Sequence, residues 1–303
     1  MANPIPPAQR QLDTVAVEHV LLRMARARQP PWLHAEVARR MAQRLAPIRL
    51  KPELLIDWWG HLGAGGDALA KACPRARRVV VEPTAMLAQR SRAALPRPWW
   101  KLPDRRNASH DVLSDGAELP AGAELVWANM MLHAVADPPA LIERWQDALR
   151  VEGFVMFSCL GPGTLPELRS LYRRLGWPTP TQDFVDMHDL GDMLVQAGFA
   201  DPVMDQEVLN LRWDSATAAL DELRCLGGNV APDRFAGLRT PRWRERLLHE
   251  IKLLRGADGK IGLSFEIVFG HAFKVAPRVR SGEKAVVSLQ DMRDMVGLGR
   301  QRR

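Results

Sequence analysis

Short apolar segments alternate with helical segments along most of this 303-residue chain, and this alternation constrains the fold more than any other feature. Strands are predicted at residues 54–57, 78–82, 125–129, 153–158 and 263–275. Helices are predicted around residues 68–70 and at 139–149, 166–174, 190–197 and 242–254. Strands that alternate with helices are typical of an α/β fold with a doubly wound, mostly parallel sheet. In such a sheet, ligands bind at the edge where the carboxyl ends of the strands meet.

Bulk composition favours a soluble globular protein. Hydrophobic residues make up 47% of the chain and charged residues 25%, which is an ordinary balance. No apolar run approaches the roughly 20 residues that a membrane helix needs, and the N-terminus lacks a signal-peptide pattern. Cys73, Cys159 and Cys225 are too widely spaced to indicate a disulfide framework or a zinc site. We therefore expect a cytoplasmic protein with no metal and no membrane partner.

The chain is basic, with a net charge of +7 and an isoelectric point near 9.8. Such a charge favours acidic partners, such as nucleic acid, anionic lipid or an acidic carrier protein. Short arginine clusters are also typical of a solvated surface and a disordered basic end. The clusters lie at Arg75, Arg77 and Arg78 and at Arg300, Arg302 and Arg303. No aromatic-studded strand or reading helix accompanies them, so nucleic-acid binding is not expected.

Two predicted strand ends suit a cofactor that contains a nucleoside. Glu82 ends the second strand, and Asp57 ends the first. The spacing between them fits a turn, a helix and a strand, and a carboxylate at this second position can accept hydrogen bonds from ribose hydroxyls. The alternative is that Glu82 is simply the polar end of a strand. The turn after Asp57 should contain glycine, so that backbone N–H groups can approach the ligand closely.

Narrower evidence comes from the segment at residues 158–168, with the sequence Ser-Cys-Leu-Gly-Pro-Gly-Thr-Leu-Pro-Glu-Leu, and from the alternating run at 265–271. Further matching segments lie between them, at residues 187–199, 223–229 and 237–240. This set, in this order, resembles the malonyl-[acyl-carrier protein] O-methyltransferases of biotin biosynthesis. The resemblance extends over about residues 29–274. Most of its nucleotide-binding half would be shared by any class I methyltransferase.

The resemblance implies a Rossmann-like sheet of seven strands, with N-terminal helices and helical insertions near a C-terminal hairpin. It implies that S-adenosyl-L-methionine is the cofactor. It also implies that an acidic acyl-carrier protein presents the acceptor, the free carboxyl of a malonyl thioester. Because a carboxylate is already a competent nucleophile, holding the reactants within about 3 to 3.5 Å supplies most of the rate advantage. No dedicated catalytic base is therefore expected.

Carried over position by position, the resemblance assigns residues to two sites. The cofactor-binding residues are Asp57, Gly60, Gly63, Glu82, Asp115, Gly116, Ala117 and Asn129. Asp115 would accept a hydrogen bond from the exocyclic amine of adenine, and Asn129 would line the pocket between cofactor and substrate. The substrate-pocket residues are His133, Gly161, Pro162, Gly163 and Thr164. Thr164 would also cap the helix that follows.

Two departures from the family pattern leave the activity open. Trp59 and His61 stand where the first two glycines of the turn are usual, and their side chains should obstruct the methionine end of the cofactor. A shifted turn would restore room through Gly60, Gly63, Gly65 and Gly66. Tyr172, the single tyrosine, lies outside the N-terminal helices, where the family carries one over the substrate. The alternatives are a related methyltransferase with another acceptor and a non-catalytic binding or regulatory protein.

The chain accordingly divides into three parts. Residues 1–14 form a flexible N-terminus, residues 15–276 a methyltransferase domain and residues 277–303 a basic, disordered tail. Within the domain, the N-terminal helices occupy residues 15–50, the cofactor-binding half 51–160 and the substrate-side half 161–276.

Overall fold

A seven-stranded sheet forms the centre of the structure, a computed structural model that describes residues 12–48, 51–95, 111–235 and 237–276. The strands are β1 (Leu54–Trp58), β2 (Arg77–Glu82), β3 (Asp111–Ser114), β4 (Ala123–Ala128), β5 (Leu149–Leu160), β6 (Phe199–Trp213) and β7 (Ile261–Lys274). Their order across the sheet is β3-β2-β1-β4-β5-β7-β6. Neighbouring strands from β3 to β5 run parallel, whereas β7 is antiparallel to both β5 and β6. The predicted mostly parallel sheet is therefore confirmed.

Helices connect the strands and cover the sheet. They are α1 (Thr14–Arg26), α2 (Trp32–Leu45), α3 (Gly60–Gly63), α4 (Gly66–Ala72), α5 (Ala85–Ala94), α6 (Pro138–Ala148), α7 (Pro166–Arg174), α8 (Met187–Gln196), α9 (Ala216–Cys225) and α10 (Pro241–Lys252). Many of them begin at a short polar residue whose side-chain oxygen accepts a backbone N–H of the first turn. These caps are Asp13, Thr84, Asp137, Asp186, Ser215 and Thr240. Among the described helices, none has the length and apolar character needed to cross a membrane.

Two apolar cores lie on opposite faces of the sheet, because successive side chains of a strand point to opposite sides. On one face, Trp58 of β1 packs edge-on against Trp145 of α6, with ring centroids 6.0 Å apart. On the other face, Leu55 and Trp127 are buried in the same cluster as Leu33 of α2. Both faces of β1 and β4 are thus covered, which explains why these strands are continuous apolar runs in the sequence.

The sequence prediction does not include β3 and β6, since neither is an uninterrupted apolar run. Strand β3 has only four residues and lies at the edge of the sheet. In β6, less exposed and exposed residues alternate along most of the strand, which is typical of an antiparallel strand with one solvated face. The helix predicted around residues 68–70 is α4, and the separate short helix α3 precedes it.

Thr164 does not cap α7, so that prediction is wrong. The residue before this helix is Leu165, with a φ of 55°, and no side chain caps the first turn. The Thr164 hydroxyl instead donates to the carbonyl oxygen of Glu266 at 3.1 Å and accepts from its N–H at 3.2 Å. Because β7 provides both partners, the hydroxyl ties the turn after β5 to the sheet.

The predicted terminal segments fall largely outside the described residues, which begin at Leu12 and end at residue 276. Within the first segment, Leu12 is buried and the N–H of Asp13 donates to the carbonyl oxygen of Val230 at 2.9 Å. Residues 12–14 therefore pack against the loop after α9.

Candidate functional site

The parallel strands place several of the predicted site residues at one edge of the sheet. Asp57 lies near the carboxyl end of β1, Glu82 ends β2, and Asp115 and Asn129 directly follow β3 and β4. Right-handed crossover connections bring such strand ends to the same side. The edge therefore combines carboxylates and an amide above the middle of the sheet, where open α/β folds bind ligands.

The turn after β1 keeps the ungapped register of the glycine motif. Trp59 has a φ of 53°, in the left-handed region that glycine adopts most easily. Its N–H donates to the carbonyl oxygen of Val81 at 2.7 Å, and the single turn of α3 follows at once. Ala64, with a φ of 52°, then redirects the chain into α4. Trp59 thus has the conformation expected of a glycine at this place in the motif, which favours the ungapped register over the shifted turn.

The glycines around this turn pack tightly against the protein. A Cβ atom at Gly60 would lie 2.6 Å from Asp57 Oδ2, and one at Gly65 would lie 2.7 Å from the Trp127 indole nitrogen. A Cβ at Gly63 would approach the carbonyl oxygen of Asn129 to 3.2 Å. Helix–sheet packing thus explains these glycines, and the cofactor-binding role of Gly60 and Gly63 stays a prediction.

Asp57 is a buried partner of an arginine. Only 1% of the residue is exposed, and Arg78 of β2 donates to Oδ2 from Nε at 2.9 Å and also from Nη2. Burial raises the pKa of this carboxyl, and the guanidinium opposes the rise. The pair joins β1 to β2 below the turn, so the proposed contact between Asp57 and the cofactor has no direct support in this geometry.

Glu82 has one carboxylate oxygen bonded and one without a partner. Oε1 accepts hydrogen bonds from the His61 N–H at 2.7 Å and the Ser91 hydroxyl at 2.6 Å. Oε2 is buried and has no hydrogen-bond partner among the described residues. Burial raises the pKa of Glu82 to about 7. A buried acceptor without a donor is costly, and the two hydroxyls of a ribose supply such donors, so this residue fits the nucleoside of the implied cofactor.

His61 contributes its backbone N–H to this arrangement. Burial and the nearby Arg90 lower the pKa of its imidazole. The side chain lines a separate surface pocket together with Gly60, Ser91 and residues of α4. It does not line the cavity described below.

Asp115 already forms an ion pair. Arg144 of α6 donates to Asp115 Oδ1 from Nη1 at 2.8 Å and to the carbonyl oxygen of Asp115 from Nη2. The guanidinium also lies over the Trp58 ring, 5.1 Å from its centroid. At Gly116, by contrast, a Cβ would meet no atom within 4 Å, and the N–H of Ala117 is bonded to the Ser114 carbonyl. A contact between Asp115 and adenine, as predicted, would therefore have to share the Asp115 carboxylate with Arg144.

Asn129 links three segments, because both the nitrogen and the oxygen of its side-chain amide form hydrogen bonds. Its Nδ2 donates to the carbonyl oxygens of His34 at 2.7 Å and Gly63 at 2.5 Å, while Oδ1 accepts from the Ser158 hydroxyl at 2.7 Å. These bonds connect α2, the β1 turn and β5. The adjacent Met130, with a φ of 51°, lines the cavity in its place.

An apolar cavity of about 140 Å³ lies beside the strand ends. Its apolar wall comes from α1, α3 and the turn before it, β5, the segment before α8 and the residues after α9, and includes Val17, Leu21, Met24, Trp59, Leu62, Leu160, Phe184 and Leu226. Its polar groups are His34, His133, Thr164, Thr181, Gln182 and Asn229. A mostly apolar cavity with a few convergent polar groups is typical of a small-molecule site.

Two of the predicted substrate-pocket residues, His133 and Thr164, line this cavity, whereas Gly161, Pro162 and Gly163 do not. The carboxylate of Glu266 on β7 packs against the turn so closely that a Cβ at either glycine would collide with it. The two glycines are thus explained by this contact with β7.

Both histidines of the cavity wall have defined protonation. The Leu160 N–H donates to His133 Nδ1 at 3.3 Å, which places the proton of the neutral ring on Nε2. His34 Nδ1 lies 2.8 Å from the carbonyl oxygen of Leu62 and therefore carries the proton. Burial lowers the pKa of His34 to about 4, so its ring is neutral at pH 7. His34 thus offers an acceptor at Nε2.

The sequence analysis does not identify Arg169 of α7, Gln182 or Phe184. Arg169 donates from Nε to the Thr181 hydroxyl at 3.1 Å and from Nη1 to the Pro162 carbonyl at 2.8 Å. Its Nη2 is buried without an acceptor, and burial lowers the pKa of the guanidinium, although Asp183 and Glu266 favour its charge. A basic residue six positions after the Gly-Pro-Gly motif is the signal that could have pointed to it.

Comparison with known proteins identifies the family. The chain is 37% identical over 259 residues to the malonyl-[acyl-carrier protein] O-methyltransferase of Gallionella capsiferriformans, covering 84% of this chain and 88% of the relative. It is 34% identical over 276 residues to the enzyme of that name from Laribacter hongkongensis, covering 87% and 88%. No protein-family model matches the chain.

Solved structures agree on the fold. The YcgJ protein of Bacillus subtilis superposes with a TM-score of 0.50 at 10% identity, covering 78% of this chain and 98% of that one. A likeness at this identity concerns the architecture alone, which is the Rossmann-like sheet of class I methyltransferases. With relatives above 30% identity over more than four fifths of its length, the chain belongs to the malonyl-[acyl-carrier protein] O-methyltransferase family.

Proposed function

We propose that this protein is an S-adenosyl-L-methionine-dependent O-methyltransferase that methylates the free carboxyl of malonyl-[acyl-carrier protein] in biotin biosynthesis. Family membership carries the proposal, through relatives of that name at up to 37% identity. Its support in the structure is the buried, unpartnered Oε2 of Glu82 at the ligand-binding edge of the sheet.

Glu82 would hold the ribose of the cofactor. The ribose hydroxyls would donate to Oε2, while His61 N–H and the Ser91 hydroxyl keep Oε1 in place. The backbone of Gly116 and Ala117 would contact the adenine, with Asp115 and Arg144 beside it. When bound, S-adenosyl-L-methionine supplies an electrophilic methyl group on a sulfonium, so no protein group has to activate it.

The cavity would take the malonyl end of the acceptor. Its carboxylate needs hydrogen-bond donors, and the wall supplies the hydroxyl of Thr181, which accepts from Arg169 and keeps its own proton to donate. Arg169 does not itself line the cavity, but it donates from Nε to the Thr181 hydroxyl and has an Nη2 without a partner among the described residues. A charge-assisted hydrogen bond from this guanidinium would fix the carboxylate. The chain would then act by orienting the acceptor and excluding water, without moving a proton.

An acidic carrier protein suits the charge of this chain, +7 overall. Arg23 and Arg26 lie on α1, the helix that provides Val17, Leu21 and Met24 to the cavity wall. A carrier that approaches this side would bring its thioester close to the cavity. The described residues contain no disulfide, which is compatible with the proposed cytoplasmic location.

A transfer assay tests the proposal. Purified protein is incubated with S-adenosyl-L-methionine labelled in the methyl group and with malonyl-[acyl-carrier protein]; the unacylated carrier is the control acceptor. We expect label only on the malonyl form, as a base-labile ester. Glu82→Ala should reduce labelling, whereas Glu18→Ala, an exposed change on the outside of α1, should not. Absence of label with folded protein would contradict the proposed function, and label on another carboxylate alone would assign a different acceptor.

A further inference from the structure

Trp59 combines a bulky side chain with a backbone conformation that suits glycine. Its φ of 53° is rare for any residue with a large side chain, and such conformations persist only where the surroundings hold them. The residue is 6% exposed, and its indole nitrogen has no hydrogen-bond partner among the residues described here. The side chain is therefore held in place by the burial of its ring among apolar groups, without a polar bond to the indole.

The position of Trp59 separates two parts of the proposed site. The backbone N–H of Trp59 donates to the carbonyl oxygen of Val81, the residue before Glu82. Its side chain lines the acceptor cavity and belongs to the same apolar cluster as Leu21 and Ala25 of α1. Glu82 itself does not line the cavity. Trp59 thus stands between the ribose-binding carboxylate and the space for the acceptor.

The cofactor has to span both parts, because its ribose lies at Glu82 and its methyl group must meet the acceptor. The acceptor cavity alone encloses about 140 Å³, less than the roughly 300 to 1,000 Å³ of typical small-molecule sites. A glycine at position 59 would leave the volume of the indole open to the methionine end of the cofactor.

We propose that Trp59 closes the cofactor site in the free protein and has to leave its place before S-adenosyl-L-methionine binds. Residue 59 is then a determinant of cofactor affinity, and the apparent affinity is reduced by the small population of the open state. This inference rests on the proposed function, because it concerns the same cofactor and the same edge of the sheet.

Calorimetric titration with S-adenosylhomocysteine tests the inference without requiring activity. The wild type is compared with Trp59→Gly, which removes the ring, and with Trp59→Phe, which keeps an aromatic ring at the same place. Thermal unfolding of each variant establishes that it is folded. We expect Trp59→Gly to bind about tenfold or more tightly than the wild type, and Trp59→Phe to stay close to the wild type.

Equal binding by wild type and Trp59→Gly would overturn the inference while leaving the proposed function intact. Weaker binding by Trp59→Gly would overturn it as well, because the indole would then be a contact of the cofactor. If no folded variant binds S-adenosylhomocysteine, the proposed function fails, and the inference fails with it.

Discussion

At the scale of single residues, the site is defined by polar groups that lack a partner. Glu82 Oε2 and Arg169 Nη2 are both buried without hydrogen bonds among the described residues. Unsatisfied buried groups are uncommon in folded proteins, and they mark places where a ligand can bind. The Glu82 acceptor suits the hydroxyl donors of a ribose, and the cationic Arg169 donor suits a carboxylate.

The raised pKa of Glu82 predicts how stability depends on pH. Its pKa is 4.5 in an ordinary environment and about 7 in the fold. The folded state therefore binds one proton more than the unfolded state between these values, and the free energy of unfolding falls as pH rises through this window. The free energy of unfolding of the wild type should fall by about 2 to 3 kcal/mol between pH 4.5 and pH 8, and Glu82→Gln should not show this fall. Denaturant titrations at several pH values measure this free energy, and an unchanged pH profile in the variant would contradict this role of Glu82.

Arg169 is predicted to hold the acceptor carboxylate. A hydrogen bond to a charged group contributes roughly 1.5 to 3 kcal/mol, so Arg169→Met should lower kcat/KM for malonyl-[acyl-carrier protein] about ten- to hundredfold. The loss should appear mainly in KM for this acceptor and leave the affinity for S-adenosylhomocysteine unchanged. Arg173→Met, on the exposed side of the same helix, is the matched control. Equal values of kcat/KM and KM for the two variants would show that Arg169 does not bind the acceptor and only stabilises the loops around it.

At the scale of elements, the turn between β1 and α4 explains what the sequence could and could not predict. The βα alternation, the sheet and the strand-end position of Glu82 follow from local patterns, because apolar runs and spacing determine them. The partners of Asp57, Asp115 and Asn129 do not, since Arg78, Arg144 and His34 reach them from distant segments. Competition by such tertiary partners is also why the predicted cap at Thr164 is wrong.

The same turn predicts a contrast between two glycines. A Cβ at Gly60 would lie 2.6 Å from Asp57 Oδ2 and 2.8 Å from Val80 Cγ1, in a region where both neighbours are buried. Gly60→Ala should therefore destabilise the fold by about 1 to 3 kcal/mol, as overpacking does. Gly116→Ala, where a Cβ would meet nothing within 4 Å, should change stability by less than about 0.5 kcal/mol. Urea unfolding compares the two, and equal stabilities would contradict the packing described for α3.

At the scale of the whole molecule, charge should govern the encounter with the carrier. A basic protein and an acidic carrier attract each other over distances that salt screens. With a net charge of +7, kcat/KM for malonyl-[acyl-carrier protein] should fall as ionic strength rises. The same constant for a malonyl thioester of free pantetheine should change much less, because that acceptor has no carrier surface. Steady-state kinetics across a salt series measures both, and parallel behaviour would exclude electrostatic docking of the carrier.

We propose that this class I methyltransferase fold binds the ribose of the cofactor at Glu82 and that Trp59 fills the path to the acceptor in the free protein. The crystal structure of the complex with S-adenosylhomocysteine tests this account most directly. We predict that the ribose hydroxyls lie within hydrogen-bond distance of Glu82 Oε2 and that the Trp59 indole has left the position it occupies here. A ligand bound away from Glu82, or bound at Glu82 with the indole unmoved, would contradict it.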